Sequence, residues 1–296
     1  MILKNIDDKS KEIKVLESLL SNSNSEAQKR LINADLKKVK LGYKSEKENA
    51  YYLDFEFEKS KNVIVLHDIR IEHNGRTAQF DHILISRLGI ELLESKSTTG
   101  EMSINHDGSL SIKNSKFVKT YPNPLEQSKR HVLVLKELIE DNSLFSKRVN
   151  ILGGISITSK VLINPNTTLT NTKLPDGFER ADSFVSNRNK EIDNIGFFDA
   201  LSSISKMFTI YKAEKIANLL VKVHTPINFD YAKKYRISKI ESLDKKEKEE
   251  KSCPRCKVGK LIIRKTKSKV AKEKYNNDKF LGCSRYPKCR YTELLD

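Results

Sequence analysis

Apolar residues near the start of the chain recur at helical spacing: Ile13, Leu16, Leu19 and Leu20 follow one another along one stripe. The segment SNSNS breaks that run, and a second begins at residues 31–36, so residues 1–40 are expected to be helical. The helical period continues through SEKENAYYLDFEF, where Ala50, Leu53 and Phe57 share a face. The pattern then changes. NVIVLHDIRIEHNGRTAQFDHILISRLGIELLESKS is rich in β-formers, with HNG and RLG as turns. SINHDGSLSI reads as another hairpin about an Asp-Gly turn. NPLEQSKRHVLVLKELIE reads as a helix with Asn123 as its cap and Pro124 at its first position. VNILGGISITSKVLINP supplies one or two strands, DSFVS a short strand, and residues 196–222 a helix. The polar segment SKIESLDKKEKEEKS lacks core residues and reads as a linker or a solvated helix. This order predicts an α/β domain of about 190 residues, near the usual domain size. The expected divisions are a helical segment over 1–40, the α/β domain over 41–225, a charged linker over 226–250 and a separate module over 251–296.

One strand breaks the pattern. In GIELLESKSTTG, residues 89–100, side chains two apart share a face, so Leu92, Glu94 and Lys96 point one way. A carboxylate and an ammonium are thereby aimed where core should be. That is either a solvated ion-pair edge or a site. The preceding strand, QFDHILIS, joins it through a short loop around Arg87 and Leu88. A two-residue loop sets Asp81 opposite Glu94; a three-residue loop with a bulge at Gly89 sets Asp81 opposite Ser95 and diagonal to Glu94. Either register lets Asp81, Glu94 and Lys96 converge, since such neighbours lie roughly 4.5–8 Å apart. Two carboxylates repel without a partner, and a divalent cation relieves them. Mg²⁺ or Mn²⁺ bound to Asp81 and Glu94, with Lys96 beside it, is a set suited to phosphodiester hydrolysis. His82 points to the opposite face from Asp81, and His67 and His131 read as packing residues rather than bases.

Charge adds a second location. Net charge is +16, but residues 251–296 hold 14 Lys/Arg against 4 Asp/Glu. A local basic excess is the footprint of a nucleic-acid binder, or else a solvated tail. All four cysteines, Cys253, Cys256, Cys283 and Cys289, lie in the same stretch. No apolar run approaches the ~18 residues of a membrane span, and the first residues lack an apolar signal core, so a cytoplasmic location is expected. In that compartment clustered cysteines favour metal over disulfides, and four thiolates suit tetrahedral structural Zn²⁺. Arg285, Lys288 and Arg290 are placed to track phosphates, and Phe280, Tyr286 and Tyr291 to stack on bases. The aromatics serve equally well as the module's small core.

Taken together, SEKENAYYL, VIVLHDIRI, AQFDHILIS, GIELLESKSTTG and NPLEQSKRH resemble the NERD (nuclease-related) domain of the PD-(D/E)xK nuclease superfamily, with Asp81 and the Glu94-Ser95-Lys96 run as its signature. The resemblance implies a restriction-endonuclease-like central mixed sheet flanked by helices. It assigns Glu46 a supporting acidic role, with Glu48 a rival nearby and Ser45 where the family has glycine. It makes Gln79 and Gln127 supporting residues. The C-terminal segment resembles the C4 zinc ribbons of bacterial type IA topoisomerases through CPRC, Gly259-Lys260-Leu261, FLGCS and YPKC. Those ribbons bind DNA, usually single-stranded. The implied function is a metal-dependent DNA nuclease carried to DNA by its ribbon, in repair or in defence against foreign DNA. A DNA-binding adaptor that keeps the nuclease fold without cutting is the alternative.

Overall fold

In the computed structural model, described for residues 1–115, 117–144, 155–198, 209–227, 229–237, 252–265 and 279–293, two compact units divide the chain at Tyr235/Arg236. The first unit is built on strands β1 (Ile2–Lys4), β2 (Val63–His73), β3 (Arg76–Ser86), β4 (Gly89–Lys96), β5 (Glu101–Ile104), β6 (Leu110–Lys113), β7 (Val118–Tyr121), β8 (Ile157–Ile163) and β9 (Phe178–Arg180). Its helices are α1 (Ser10–Asn22), α2 (Glu26–Phe57), α3 (Pro124–Asp141), α4 (Ala181–Phe198), α5 (Ile210–Val223) and α6 (Tyr231–Tyr235). Six strands make one mixed sheet in the order β1-β2-β3-β4-β8-β9. β2, β3 and β4 are antiparallel neighbours, while β1 on β2, β8 on β4 and β9 on β8 are parallel. The expected α/β class, a central mixed sheet flanked by helices, is what the chain adopts.

Apolar layers cover both faces. Val134, Leu135, Leu138 and Ile139 of α3, with Ala213, Ile216, Ala217 and Leu220 of α5, pack against Ile64, Leu66, Ile85, Ile90 and Leu92. On the other face Leu53 and Phe57 of α2 and Phe184 and Val185 of α4 meet Val63, Val65, Leu84, Leu93 and Leu162. Each buried Val, Leu, Ile or Phe among them contributes about 1.5–3 kcal/mol relative to exposure. The Asn123 carboxamide oxygen accepts from the Leu125 N–H at 2.9 Å and Pro124 opens α3, as the sequence predicts.

Two secondary-structure expectations change. DSFVS lies in α4, not in a strand, because Ala181, Phe184, Val185 and Ile192 form one buried helical stripe. Residues 2–4 are not helical: they pair with β2 as the sheet's edge. α2 crosses residue 40 without a break, and α6 falls within the stretch expected to be linker. The hairpin SINHDGSLSI forms β5 and β6, and β7 adds a third strand to it. Residues 199–208 of the expected helix, and most of the charged segment, lie outside the described residues.

A change of phase in the sheet prepares the site. In β2, Ile64 and Leu66 face α3 and α5, but past Asp68 the odd-numbered Ile69 and Ile71 do. β3 shifts in step, from Ala78 and Phe80 to Ile83 and Ile85. Asp68 has φ 49°, a left-handed conformation that aspartate tolerates better than β-branched residues. The pairs His67–His82 and Ile69–Phe80 set Asp68 opposite Asp81. The pairs Ser86–Gly89 and His82–Leu93 select the two-residue loop, and so set Asp81 opposite Glu94.

The second unit contains β10 (Leu261–Lys265), β11 (Lys279–Cys283) and β12 (Thr292–Glu293), an antiparallel three-stranded sheet.

Candidate functional site

Asp68, Asp81 and Glu94 therefore stand at adjoining positions across three neighbouring strands. Asp81 is fixed through Oδ2, which accepts from the Ser95 N–H at 2.7 Å. Lys96 Nζ donates to Glu94 Oε1 at 2.5 Å. Glu46 comes from α2 and accepts through Oε2 from Lys9 Nζ at 2.6 Å, and the same ammonium lies 3.5 Å from Asp68 Oδ2. Gln79 Nε2 reaches Asp68 Oδ1 at 3.4 Å. Gln127 is exposed on α3, while Ser128 and His131 of that helix line a small cavity beside Glu94. The rival acid Glu48 is turned elsewhere, accepting from Asn164 Nδ2 at 2.8 Å.

These groups act on one another electrically. Burial, then the charges of Glu94 and Glu46, push the Asp81 carboxyl well above its usual range. Burial also raises Glu46, against the pull of Lys9 and with Asp68 and Glu94 adding to the rise. Burial works against the charged form of Lys96, but Glu94, Asp81 and Glu46 outweigh it and hold its pKa up. The result is an acidic patch that is short of positive charge. Hard carboxylate oxygens of this kind suit Mg²⁺ or Mn²⁺. Among the described residues, the carboxylates are not drawn into a cage as tight as the cysteines, whose sulfurs all lie within 4.8 Å of one another. Instead each outer acid, Glu46 and Glu94, already holds a lysine.

The opposite face of β3 and β4 carries a buried polar chain. Asn49 Nδ2 donates to Ser95 Oγ at 3.0 Å, and Ser95 Oγ meets His82 Nε2 at 2.8 Å. His82 Nδ1 meets His67 Nδ1 at 2.7 Å, and His67 Nε2 meets Asp54 Oδ1 at 2.8 Å. Donor counting orders the whole chain with both imidazoles neutral: Ser95 donates to His82, His82 to His67, and His67 to the carboxylate. Burial and the neighbouring His67 hold His82 well below its usual range, in keeping with that state.

Asp68 and Lys9 escape the sequence reading. A strand acid amid VIVLHDIRI is a signal that pattern alone offers for Asp68. Nothing local marks Lys9, which is one of many lysines near the start of the chain.

In the second unit the four cysteines are unbridged, with sulfurs 3.7 Å apart for Cys253–Cys289 and 3.6 Å for Cys256–Cys283. That is far beyond a disulfide bond, and all four sulfurs lie within 4.8 Å of one another, a spacing that suits one shared metal ion. Backbone N–H groups of Val258 and Gly259 lower the Cys256 thiol to about 6. A Cβ at Gly259 would stand 2.6 Å from the Cys283 sulfur, which is why that turn takes glycine. Tyr286 is 60% exposed, with the Arg264 guanidinium 5.5 Å from its ring centre. Arg285, Lys288 and Arg290 are exposed, and Phe280 is half-buried in β11. Tyr291 packs on the cysteine cluster and donates to Glu293 Oε2 at 2.8 Å, so it serves the module's core.

A mixed α/β domain with an acid-and-lysine patch, together with a four-cysteine module, defines the class. Residues 41–164 match the model of the nuclease-related domain (NERD) family, and residues 250–296 match the topoisomerase DNA-binding C4 zinc finger. The chain thus joins a nuclease-related domain to a DNA-binding zinc ribbon, and the clustered cysteines and that match together make the ribbon a structural zinc site. No curated protein and no solved structure matches the chain. Among the described residues no helix is long and apolar enough to cross a membrane.

Proposed function

We propose that this protein is a metal-dependent DNA nuclease that hydrolyses phosphodiester bonds in the cytoplasm, in repair or in defence against foreign DNA. The observation that carries the reading is the Asp81–Glu94 cross-strand pair with Lys96 bonded to Glu94, inside a match to the nuclease-related family. Asp81 and Glu94 would hold Mg²⁺ or Mn²⁺, which supplies an acidified water and charge stabilisation when bound. Asp81 is held by the Ser95 N–H through Oδ2, which leaves Oδ1 as the oxygen that would take the cation. Lys96 leaves Glu94 for the phosphate as charge develops there, or holds the attacking water. Glu46 supports the same patch from α2. Zn²⁺ in the ribbon folds the module that holds DNA, with a preference for single strands through Tyr286, Phe280, Arg285, Lys288 and Arg290.

The test is cleavage of single-stranded, linear duplex and supercoiled DNA with Mg²⁺, Mn²⁺ or EDTA. Asp81→Asn and Lys96→Ala should each abolish metal-dependent cutting while DNA binding persists. Wild-type-like cleavage by Lys96→Ala would overturn the mechanism. DNA binding without cleavage by the native protein on any substrate would make it an adaptor.

A further inference from the structure

The nuclease-related match begins at residue 41, yet a residue well before it enters the acidic patch. Lys9 Nζ lies 2.6 Å from Glu46 Oε2 of α2 and 3.5 Å from Asp68 Oδ2 of β2. All three side chains are largely buried. The lysine also faces the charge of Asp81.

Lys9 is held in place rather than hanging over the site. Preceding it, β1 pairs with β2, and Lys4 Nζ donates to the carbonyl oxygens of His67 at 3.0 Å and Asp68 at 3.1 Å. Asp7, bonded to that same Lys4, also pairs with His224 at 3.1 Å. Across it, the Asp8 carboxylate accepts from the N–H of Ser10, the first residue of α1. α1 then packs along α2, the helix that presents Glu46. The backbone that carries Lys9 is thus fixed on both sides, which sets its side chain beside Glu46 and Asp68.

The charges then count out. Counted with all four acids as carboxylates, the form in which they would face a bound cation, and with Lys9 and Lys96 as ammonium ions, the patch has a formal charge of −2, which one divalent cation neutralises. Without Lys9 it would be −3, with the oxygens of Glu46 and Asp68 free to bind a cation. We infer that Lys9 is a resident cation of the site, standing in the charge place of a second metal ion, so that the protein holds one divalent ion there rather than two. This rests on the metal-binding reading above.

The experiment is a Mn²⁺ titration of the full chain, its ribbon first saturated with Zn²⁺, with free Mn²⁺ read by electron paramagnetic resonance. The native protein should bind one ion, lost in Asp81→Asn. Lys9→Met should bind two, and Lys9→Arg, which keeps the charge, one. The double variant Lys9→Met/Glu46→Gln removes the ion pair as a unit, restores the formal −2 and should return to one. It is also the fallback should Lys9→Met alone not fold, because removing both members of a buried pair is better tolerated than removing one. One ion in folded Lys9→Met, or two in the double variant, overturns the role of Lys9 while leaving the metal site standing. No ion in the native protein overturns the metal reading itself, and this inference with it.

Discussion

The Ser95 backbone N–H donates to Asp81 Oδ2 at 2.7 Å while its hydroxyl, on the other face of β4, meets His82 Nε2 at 2.8 Å. One residue between Glu94 and Lys96 thus ties the acidic patch on one side of the sheet to the buried histidine chain on the other. Ser95→Ala keeps the first bond and deletes the second. His82 is then left buried without its donor, at a cost of about 1–3 kcal/mol. Urea denaturation should show that loss, and unchanged stability would mean the chain does not hold the strand.

Gly89 sets the register that places Asp81 opposite Glu94. Its φ is +123°, and a Cβ there would stand 2.3 Å from the Ser156 carbonyl oxygen. Gly89→Ala should therefore destabilise the domain by about 1–3 kcal/mol through backbone strain, with the close contact adding to it. A thermal melt unaltered by the change would refute this account of the turn.

Glu91 and Arg188 form a largely buried ion pair between β4 and α4, on the face opposite Glu94. Burial lifts the Glu91 carboxyl above its usual value, although Arg188 pulls it down. A carboxyl raised in the fold is bound more tightly to its proton there than in the unfolded chain. Its ionisation therefore subtracts stability as pH rises from the ordinary carboxylate value through the raised one. Arg188→Met strips away the opposing charge and should cost about 3–5 kcal/mol at pH 8. At pH 4 Glu91 takes up a proton and the loss should be smaller. Denaturant curves at the two pH values decide it, and an equal or greater loss at pH 4 would contradict the sign.

Zinc removal should act on the ribbon alone. Chelation, or Cys283→Ser, should collapse the dispersed amide signals of residues 252–265 and 279–293 in an NMR spectrum. The melting transition of residues 1–235, which have their own core, should stay where it was. DNA affinity should fall in both cases. Tyr286→Ala, with zinc retained, should weaken single-strand binding about tenfold, the loss of one stacked base. Undiminished affinity in that variant would assign the exposed ring another role.

By itself the sequence determined the parts whose chemistry is local. The period of two in QFDHILIS and GIELLESK put Asp81, Glu94 and Lys96 on a common face, because pleating fixes which side chains align. Asn123-Pro124 marked a helix start because those residues supply a cap and a preset φ. The Cys-x₂-Cys and Cys-x₅-Cys spacings marked a four-sulfur cluster, because thiolates at such intervals converge on one ion. What only the tertiary structure decided depends on contacts between distant segments. DSFVS carries strand-like residues, yet the buried stripe of Ala181, Phe184 and Val185 against α2 makes it helix. Asp68 joins the patch because a left-handed residue shifts the phase of two strands together. Lys9 joins it because an edge strand and a packed helix carry it there across nearly forty residues of chain. Periodicity reports which face a residue shares with its neighbours; it does not report which remote charge the fold sets opposite that face.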